Sequence, residues 1–481
     1  MYYFKKEGQV HKSILCVDLD GTLINGDILF ESALSLFSKN PFYIFLMIFW
    51  LLKGKAVLKQ EIARRVDINA ARLPYRSEII EYLKDKKNNF TLVLVTASDQ
   101  KYADQVAKHL GFFDEAIGSN GRINLIGNKK AELLVNLYGE KQFIYMGDSV
   151  TDIPVFSVSK HYIIVDNNKK IIENIKDGTR PIISFENKKP KLNDWLAAIR
   201  VHQWTKNILV FVPLIAAHLF FDIKSIFDCI GAFLSISLLA SSAYILNDML
   251  DIEADRKHPK KSKRPFASGA LNIKQGCYVF PALAIIGVLI GVPLGYHFVV
   301  SDLIYYATTM SYSLYIKKIS IIDVIVLACL YTLRIIAGTA AINVPLSFWL
   351  LAFSMFIFFS LAMLKRYTEL LALEKSGKTS AERRGYNVSD IAIIRDMGCA
   401  SGYISIMVLA LYINSPASRI LYAHPHALWL LCPVLLYWIS RIWFMGHNGQ
   451  VHQDPVVFAI KDRSSQIVAV LFLLIAIGAT L

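Results

Sequence analysis

The chain has 481 residues, of which 54% are apolar and only 19% are charged, and its formal net charge is +14. Soluble domains are about 45–50% apolar and about 25% charged, so this composition excludes a disordered chain, a fibrous chain and one homogeneous soluble domain. Residues 1–191 hold 28 Lys/Arg and 22 Asp/Glu, whereas the longer stretch 192–481 holds only 24 and 16. The sequence therefore predicts a soluble N-terminal part followed by a membrane part.

The remaining composition argues against several classes of protein. The six cysteines are scattered without a CxxC pair, which predicts neither a disulfide framework nor a zinc site. Basic excess in a membrane protein is typical of its cytoplasmic loops, and no basic stripe with interleaved aromatic residues indicates a nucleic-acid partner. The first residues lack an apolar signal core, so we expect the soluble part to stay in the cytoplasm.

Three short apolar runs organise the N-terminal part. Residues 14–19, 90–95 and 143–146 each end at acidic or small polar residues, and helical patterns lie between them. Buried parallel strands have this pattern, with ligand groups at their carboxyl ends. We predict an open, Rossmann-like α/β domain over about 11–182, with domain limits of 1–185 and a linker over 186–199.

One segment of this domain departs from the pattern. Residues 40–52 (NPFYIFLMIFWLL) are intensely apolar and precede a basic stretch. They are too short to cross a bilayer, which takes roughly 20 residues. Two interpretations stay open: the buried helix of a helical cap inserted at about 28–85, or a helix that dips into the membrane interface.

The C-terminal part contains nine apolar stretches, which predict an all-α integral membrane domain over 200–481. With the N-terminus inside, the loops 247–276, 316–319, 365–398 and 446–464 carry about 18 Lys/Arg, and the outside loops carry two. This asymmetry agrees with the positive-inside rule and puts the soluble domain and the charged loops on the cytoplasmic side. The predicted spans are about 208–221, 227–246, 277–295, 298–315, 320–341, 346–364, 399–416, 425–445 and 465–481.

The soluble domain carries the side chains that phosphoryl transfer needs. That chemistry uses a nucleophile, a proton donor, a magnesium ion and a cation over the phosphoryl oxygens. Candidates follow predicted strands or begin a helix at Asp18, Asp20, Thr96, Lys130, Asp148 and Asp152. Lys129 competes with Lys130 for the lysine position.

In order and spacing, these four motifs resemble those of the haloacid dehalogenase (HAD) superfamily of phosphatases over the whole of 11–182. The resemblance implies that Asp18 is the nucleophile, forming an aspartyl-phosphate, and that Asp20 is the general acid/base. It further implies phosphoryl contacts from two residues, Thr96 and Lys130, and a Mg²⁺ site at Asp18, Asp20, Asp148 and Asp152. Since this superfamily often has a substrate-selecting cap between its first two motifs, an apolar cap suggests an apolar substrate.

A second acidic motif ends the second apolar stretch of the membrane part. Three carboxylates recur along one helical face at Asp248, Asp251 and Asp255, and Asn247 precedes them. Like charges so close to a membrane are unfavourable unless a cation or ligand joins them, and Mg²⁺ prefers oxygen ligands shared with phosphates. The adjacent basic residues, which suit the phosphates themselves, include Arg256, Lys263 and Arg264.

This NDxxDxxxD motif resembles that of the UbiA superfamily of membrane transferases, in which it binds the Mg²⁺–pyrophosphate of the donor. Most members are prenyltransferases with a second DxxxD motif. Residues 365–375 read KRYTELLALEK instead. In this respect the chain resembles one branch of the superfamily, the decaprenyl-phosphate phosphoribosyltransferases. The resemblance covers about 195–465 and includes RVHQWTKN at 200–207 and KRYTE at 365–369.

That branch implies a role for each matched residue. Asp248, Asp251 and Asp255 would bind Mg²⁺ and the leaving pyrophosphate, supported by Asn247. The ribose phosphate and ribose would be gripped by Lys365, Arg366, Tyr367 and Glu369. The candidates for the lipid phosphate are Lys206, Lys317 and Arg334, although Lys317 could simply snorkel. His202, His258 and His452 are more typical of hydrogen-bonded structural groups.

Together the resemblances predict a bifunctional, Mg²⁺-dependent enzyme of the bacterial inner membrane. It would transfer 5-phosphoribose from phosphoribosyl pyrophosphate to a polyprenyl phosphate and then dephosphorylate the product for envelope glycan synthesis. The alternative is a prenyltransferase acting on an aromatic or lipid acceptor, with a phosphatase of separate substrate. The bilayer is the expected partner in both cases, and the sequence leaves a homo-oligomer open.

Overall fold

The computed structural model describes residues 12–166, 169–175, 181–185, 190–377, 385–451 and 454–480. The chain divides into two compact units: unit 1 comprises Met1–Ile199 and Ile245–Val279, and unit 2 comprises Arg200–Tyr244 and Phe280–Leu481. In this division the acidic motif that starts at residue 247 belongs to unit 1, and the domain limits drawn from the sequence stay a prediction. Part of the predicted linker, 186–189, and His452 lie outside the described residues.

A six-stranded parallel sheet organises unit 1, as the sequence predicts. Its spatial order is β3-β2-β1-β4-β5-β6, so the strand order reverses beside β1, where open α/β sheets form their ligand crevice. The strands are β1 Ser13–Val17, β2 Phe90–Asp99, β3 Glu115–Ser119, β4 Phe143–Gly147, β5 His161–Val165 and β6 Ile183–Phe185.

Both faces of this sheet are buried, which is why its strands read as continuous apolar runs. Leu15 and Val17 of β1 join one core cluster, whereas Cys16 between them joins the cluster on the opposite face. Helices cover the two faces and form the insertion between β1 and β2. The helices of this N-terminal part are Ile28–Lys39, Tyr43–Leu52, Lys55–Ala63, Ala70–Arg72, Ser77–Lys86, Gln100–Leu110, Asn128–Tyr138, Val150–Asp152, Ile153–Val158, Lys169–Asn174 and Leu192–Ala198.

Helix Tyr43–Leu52 of the insertion buries little of its apolar surface. Trp50 packs among Leu36, Ile62 and Val66 and is 7% exposed. On the outer side, Phe45 is 66% exposed. One side of this helix therefore packs against the domain, and its remaining apolar side chains are exposed.

The C-terminal part is helical, and seven of its helices within the described residues are long and apolar enough to cross a membrane. Of the other two predicted stretches, 208–221 corresponds to the short helices Val201–Phe211 and Val212–Ala216, and 298–315 corresponds to helix Tyr296–Leu314. The number of nine membrane spans therefore stays a prediction. The seven candidate spans are Ile223–Leu250, Ile273–Leu294, Ile322–Ala341, Phe348–Lys375, Val388–Ile413, Pro425–His447 and Arg463–Thr480. Shorter helices complete this part at Ile252–Lys257, Lys261–Lys263, Ile316–Lys318, Pro416–Leu421 and Pro455–Lys461.

Candidate functional sites

The carboxyl ends of β1 and β4 bring the first group of predicted residues together. Asp18 follows β1 and Asp148 follows β4, and the two strands are paired in parallel. A short helical turn after β4 adds Asp152, whose carboxylate lies with those of Asp18 and Asp148 such that one ligand atom from each is within 4.8 Å of the others. Among the described residues this is the one group of three such ligands that could hold a metal ion.

Lys130 neutralises part of this acidic group. Its Nζ donates to Asp18 Oδ1 at 3.0 Å, to Asp152 Oδ1 at 3.3 Å and to the Tyr145 hydroxyl at 2.8 Å. Lys130 is buried, whereas Lys129 is exposed. The geometry therefore favours Lys130 over Lys129 as the lysine that faces the carboxylates. We name Asp18, Lys130, Asp148 and Asp152 the strand-end cluster.

The strand-end cluster has the electrostatics of a cation site. Burial raises the pKa of Asp18 to about 7, opposed by Lys130 and reinforced by Asp152 and Asp20. Burial also raises the pKa of Asp148 to about 8, with Asp18 and Asp152 adding to the effect. Oxygen ligands at this spacing fit Mg²⁺, which prefers carboxylates, and a bound cation would favour the charged form of each.

Asp20 lies beside this cluster and has its own partners. Its Oδ1 accepts from the backbone N–H of Ile28 at 2.8 Å, and its Oδ2 accepts from Ser98 Oγ at 2.6 Å and from Thr96 Oγ1 at 3.5 Å. Burial raises the pKa of Asp20 to about 6, with Asp27 adding to the effect. A carboxyl group with such a pKa can give and take a proton near neutral pH. Asp20 does not belong to the group of three metal-type ligands, so its place in the Mg²⁺ site stays a prediction.

Gly21 has to be glycine in this turn. Its φ is +77°, and a Cβ built on it would lie 2.2 Å from Asp148 Oδ2. Thr22 Oγ1 donates to Asp148 Oδ1 at 3.0 Å. The sequence DLDGT thus provides the carboxylates of Asp18 and Asp20 and also positions the carboxylate of Asp148, which follows the neighbouring strand.

Three further residues of this site have no signal in the sequence motifs. Lys59, from the inserted helices, donates to the carbonyl of Ala97 at 2.5 Å and to Asn124 Oδ1 at 2.7 Å, and burial lowers its pKa while Asp20 opposes the shift. Ser98 and Tyr145 are the others. Sequence reasoning missed these three residues because none of them stands at a fixed spacing from the carboxylates that follow the strands.

The second acidic motif lies in unit 1, on helix ends that flank residue 251. Asp248 and Asp255 are both buried, and the Arg264 guanidinium joins them by donating at 3.0 Å to Asp248 Oδ1 and at 2.7 Å to Asp255 Oδ2. Burial raises the pKa of Asp255 and Arg264 opposes it. Arg264, a predicted phosphate contact, thus pairs with predicted metal ligands. Asn247 and Asp251 are half-buried and Lys263 is exposed.

Arg256 of the same segment is held by the inserted helices. Its two terminal nitrogens donate to the two carboxylate oxygens of Glu31, each at 2.8 Å, and its Nε donates to the carbonyl of Ala267. Asn25 Nδ2 donates to the carbonyl of Gly269 at 2.6 Å. Both Arg256 and Glu31 are largely buried. A bidentate pair of this kind fixes the arginine geometrically, so Glu31 is a partner that sequence reasoning missed.

Unit 2 gathers two of the predicted phosphate-binding lysines. Lys206 Nζ and Lys365 Nζ both donate to Asp454 Oδ2, at 2.7 Å and 3.0 Å, and the Tyr331 hydroxyl donates to Asp454 Oδ1 at 3.1 Å. Burial alone would raise the pKa of Asp454, but the two lysines hold it well below its usual range. Burial lowers the pKa of Lys206 to about 8, with Asp454 opposing the shift. We name Lys206, Lys365 and Asp454 the lysine cluster.

The neighbouring arginines of unit 2 are fully engaged with protein groups. Arg366 donates to Asp323 Oδ2 at 2.6 Å, to Glu369 Oε2 at 2.7 Å and to the Tyr312 hydroxyl at 3.0 Å. Arg334 donates to Asn207 Oδ1 at 2.7 Å and to the Tyr305 hydroxyl at 2.9 Å. These contacts orient both side chains inside unit 2.

The remaining predicted residues of the membrane part are dispersed. The Tyr367 hydroxyl contacts His447 Nδ1 at 2.8 Å, Lys317 is half-buried in the short helix Ile316–Lys318, and His202 is exposed. His258 Nδ1 accepts from two backbone N–H groups, those of Lys260 and Lys261. Asp454, Asp323 and Tyr331 are not among the predicted site residues, although the resemblance to the phosphoribosyltransferase branch also includes Asp323 and residues 454–458.

Comparisons with known proteins agree with both halves of this description. The UbiA prenyltransferase family matches residues 208–461, and the haloacid dehalogenase-like hydrolase family matches residues 15–157. The uncharacterized protein y4nM of Sinorhizobium fredii is 33% identical over 95% of this chain and 89% of its own length. The nodulation protein NoeC of Azorhizobium caulinodans is 34% identical over 56% of this chain and 87% of its own length. The decaprenyl-phosphate phosphoribosyltransferase of Mycolicibacterium smegmatis is 27% identical over 56% of this chain and 87% of its own length.

Proposed function

The chain belongs to the UbiA prenyltransferase family, with a haloacid dehalogenase-like hydrolase domain at its N-terminus, and from this premise we propose that it is a bifunctional enzyme of lipid-linked ribose synthesis. Its membrane half transfers 5-phosphoribose from phosphoribosyl pyrophosphate to a polyprenyl phosphate. Its N-terminal half removes the 5-phosphate to leave a polyprenyl-phosphoryl-ribose, which serves as a pentose donor for envelope glycans. The enzyme works in the bacterial inner membrane, with the hydrolase domain and both sites on the cytoplasmic side.

The lysine cluster is the observation that carries the transferase proposal. The residues that replace a second acidic motif begin with Lys365, and this lysine meets Lys206 on one oxygen of Asp454. Two ammonium groups around one carboxylate leave a positive excess, which suits a phosphate rather than a second metal ion. The relatedness to a decaprenyl-phosphate phosphoribosyltransferase points to the same substrates.

The transfer step follows from these charges. The lipid phosphate oxygen attacks the anomeric carbon of the ribose, whose bond to the pyrophosphate oxygen breaks, and pyrophosphate leaves. Since the attacking phosphate is already an anion, the step needs no strong base. The carboxylates of Asp248, Asp251 and Asp255 fit Mg²⁺, which would supply charge neutralisation of the pyrophosphate when bound. Lys206 is assigned to the lipid phosphate, and Lys365 to the ribose phosphate.

The dephosphorylation step uses the strand-end cluster. Asp18 attacks the phosphorus of the 5-phosphate, the bond to the ribose oxygen breaks, and Asp20 gives that oxygen a proton. Asp20, now ionised, then takes a proton from a water molecule whose oxygen attacks the phosphorus of the aspartyl-phosphate. The bond between the phosphorus and the Asp18 oxygen breaks, which releases inorganic phosphate and restores both carboxyl groups. Lys130 and Thr96 are assigned to the phosphoryl oxygens, and Asp18, Asp148 and Asp152 fit the Mg²⁺ that would neutralise them when bound.

Contacts inside unit 1 support coupling of the two steps. Helix Ile28–Lys39 begins with the N–H of Ile28 on Asp20 Oδ1, and three residues later its Glu31 holds Arg256 of the acidic segment. One helix therefore contacts both the proposed general acid of the phosphatase and a residue assigned to the transferase donor. This arrangement favours consecutive reactions over unrelated ones.

Purified full-length protein incubated with radiolabelled phosphoribosyl pyrophosphate and polyprenyl phosphate tests the transferase proposal. We expect label in the lipid fraction. Absence of labelled lipid, together with transfer from an isoprenyl diphosphate donor, would replace the proposal with ordinary prenyl transfer.

Mass spectrometry of the lipid product tests the coupling. Asp18→Asn removes the nucleophile at nearly constant size, so the variant should accumulate the product that is one phosphoryl group heavier, whereas the wild type releases inorganic phosphate. The rate of transfer should change little, because the substitution leaves every residue assigned to the transferase in place. Identical lipids from variant and wild type would mean that the phosphatase acts on another substrate.

A further inference from the structure

Helix Tyr43–Leu52, which we name the apolar helix, exposes a surface that a soluble domain rarely leaves uncovered. Its sequence YIFLMIFWLL contains no charged residue, and a helix that is apolar all round is normally buried in protein or lipid. The exposed side chains on and beside it are Phe42, Ile44, Phe45, Leu46, Ile48, Phe49, Leu51 and Leu52. Contiguous apolar surface of this kind marks an interaction site.

The apolar helix is fixed in position by its inner stripe. Tyr43, Met47 and Trp50 follow one another at helical spacing and pack against the core shared with Leu36 and Ile62. Because these contacts hold the helix in place, its outer face is a stable feature of the fold. The helix therefore cannot bury its exposed side chains by rotating about its axis, because Tyr43, Met47 and Trp50 already fill the contact with the core.

Charge around the apolar helix matches an anionic lipid surface. Between Glu31 and Glu61 the sequence contains no acidic residue, and its four charged side chains are all lysines. Lys59 contacts Ala97 and Asn124 in the phosphatase site, whereas the lysines at 39, 53 and 55 are exposed. Lys53 lies directly after the apolar helix, with its Nζ 4.4 Å from the centroid of the Phe49 ring. Basic residues flanking an apolar helical face are the pattern of helices that lie in the headgroup region of a membrane.

The membrane is also the surface to which this unit is tethered. Unit 1 contains Ile245–Leu250 and Ile273–Val279, which are the ends of two candidate membrane spans. A compact unit that includes the ends of membrane-spanning helices is held next to the bilayer in every copy of the protein. The apolar helix has ten residues, which at 1.5 Å per residue is half the thickness of the hydrocarbon core, so it can lie in the interface but cannot cross.

We propose that the apolar helix docks the phosphatase domain onto the anionic leaflet of the membrane that the same chain spans. Its outer face lies among the headgroups and upper acyl chains, and Lys53 and Lys55 contact lipid phosphates. If the proposed function holds, docking lets the strand-end cluster act on a lipid-linked phosphate whose chain stays in the bilayer.

Depth measurements on the full-length protein test the docking. Single cysteines replace Phe45, Phe49 or Leu137 in a variant without native cysteines, and each carries a nitroxide in vesicles of phosphatidylcholine and phosphatidylglycerol. Leu137 is the matched control, since it is an exposed apolar residue on another helix of unit 1. We expect the nitroxides at 45 and 49 to be relaxed by oxygen rather than by a water-soluble nickel chelate, which corresponds to a depth of about 5–10 Å in the bilayer. The nitroxide at 137 should be relaxed by the nickel chelate rather than by oxygen.

Equal nickel accessibility at all three positions would overturn the proposal. So would spin–spin broadening at 45 and 49 that disappears on dilution with unlabelled protein, because a second copy would then cover the helix. If the cysteine-free variant does not fold, photolabelling of the native chain by a lipid with a diazirine in its acyl chain replaces it. Label is then expected on residues 42–52 and not on 128–138, and the opposite pattern excludes docking.

A double variant separates docking from the proposed function. Phe45→Ser with Phe49→Ser should lower the phosphatase rate on the lipid-linked substrate in vesicles by about tenfold, while hydrolysis of a soluble phosphate monoester stays unchanged. An unchanged rate on the lipid, with the nitroxides of the single-cysteine variants in the bilayer, would uphold docking and contradict its role in reaching the lipid-linked phosphate. Hydrolysis of the soluble monoester but not of the lipid by the wild type, with the same nitroxide result, would contradict the lipid-linked substrate and leave docking in place.

Discussion

The strand-end cluster and the lysine cluster have opposite charge compositions. The first pairs one ammonium group, Lys130, with the carboxylates of Asp18 and Asp152, and Asp148 lies beside these two, whereas the second pairs one carboxylate, Asp454, with two ammonium groups. Both are buried, so neither charge excess is screened well by water. These compositions favour ligands of opposite sign, which agrees with the proposed cation at the strand-end cluster and the proposed anion at the lysine cluster.

The acidic segment of unit 1, residues 247–264, combines features of both charge compositions. Asp248 and Asp255 share the guanidinium of Arg264, and Asp251 adds a further carboxylate nearby in sequence. Residues 247–264 therefore combine four Asp/Glu with six Lys/Arg, so carboxylates for a cation lie next to basic side chains for the phosphates of a donor. A Mg²⁺–pyrophosphate, which presents both charges, fits this mixture.

The largest effect is expected from the acidic segment. Asp248→Asn and Asp251→Asn each remove a carboxylate from the proposed metal–pyrophosphate site, and we expect the transfer rate to fall by roughly 10³-fold or more. Hydrolysis of a soluble phosphate monoester by the same preparations is the control and should be unchanged. Wild-type transfer by either variant would mean that the donor binds elsewhere.

Removal of the single cation from the strand-end cluster should have the next largest effect. Lys130→Met leaves the carboxylates of Asp18 and Asp152 without their ammonium partner, and the phosphoryl oxygens lose their proposed contact, so we expect the phosphatase kcat to fall by about 10²- to 10³-fold. Lys129→Met is the matched variant, since its side chain is exposed, and should stay within about twofold of the wild type. A larger loss from Lys129→Met would reverse the assignment of the two lysines.

A smaller effect is expected where the inserted helices meet the acidic segment. Glu31→Gln removes the charge that fixes the buried Arg256 guanidinium. A hydrogen bond to a charged group contributes about 1.5–3 kcal/mol, so we expect the transfer rate to fall by about tenfold.

The phosphatase rate on a soluble monoester should stay unchanged in Glu31→Gln. Glu81→Gln, an exposed carboxylate of the same unit, is the control and should leave both activities intact. Equal transfer rates in the two variants would contradict the proposed role of Glu31 in holding the acidic segment.

The two regions also differ in how far the sequence predicts them. Asp18 and Asp148 follow neighbouring parallel strands, and since the carboxyl ends of such strands meet at one edge, their proximity follows from the motif order. Sequence reasoning left Lys129 and Lys130 as competitors, because which of the two faces the cluster depends on the exact rotation of helix Asn128–Tyr138.

Helix packing offers no comparable rule. Lys206 and Asp454 are separated by 248 positions, and their pairing depends on how several helices rotate and shift against each other. The same applies to Glu31 and Arg256, 225 positions apart. The sequence thus predicted Lys206 and Arg256 as phosphate-binding candidates but not Asp454 and Glu31, the carboxylates that pair with them.

The last prediction tests the charge composition of the lysine cluster itself. An anionic substrate must compete with Asp454 for Lys206 and Lys365, since both lysines already donate to that carboxylate. Asp454→Asn removes the competitor, so the KM for polyprenyl phosphate should fall by about fivefold, equivalent to about 1 kcal/mol. The unfolding midpoint should also fall, because two buried ammonium groups lose their counter-charge. Asp462→Asn is the control: it breaks the ion pair with Arg441, which has no proposed substrate contact, and should leave KM unchanged. A KM that rises in Asp454→Asn would mean that Asp454 positions the lysines for the phosphate rather than competing with it, and the positive excess alone would then not explain binding.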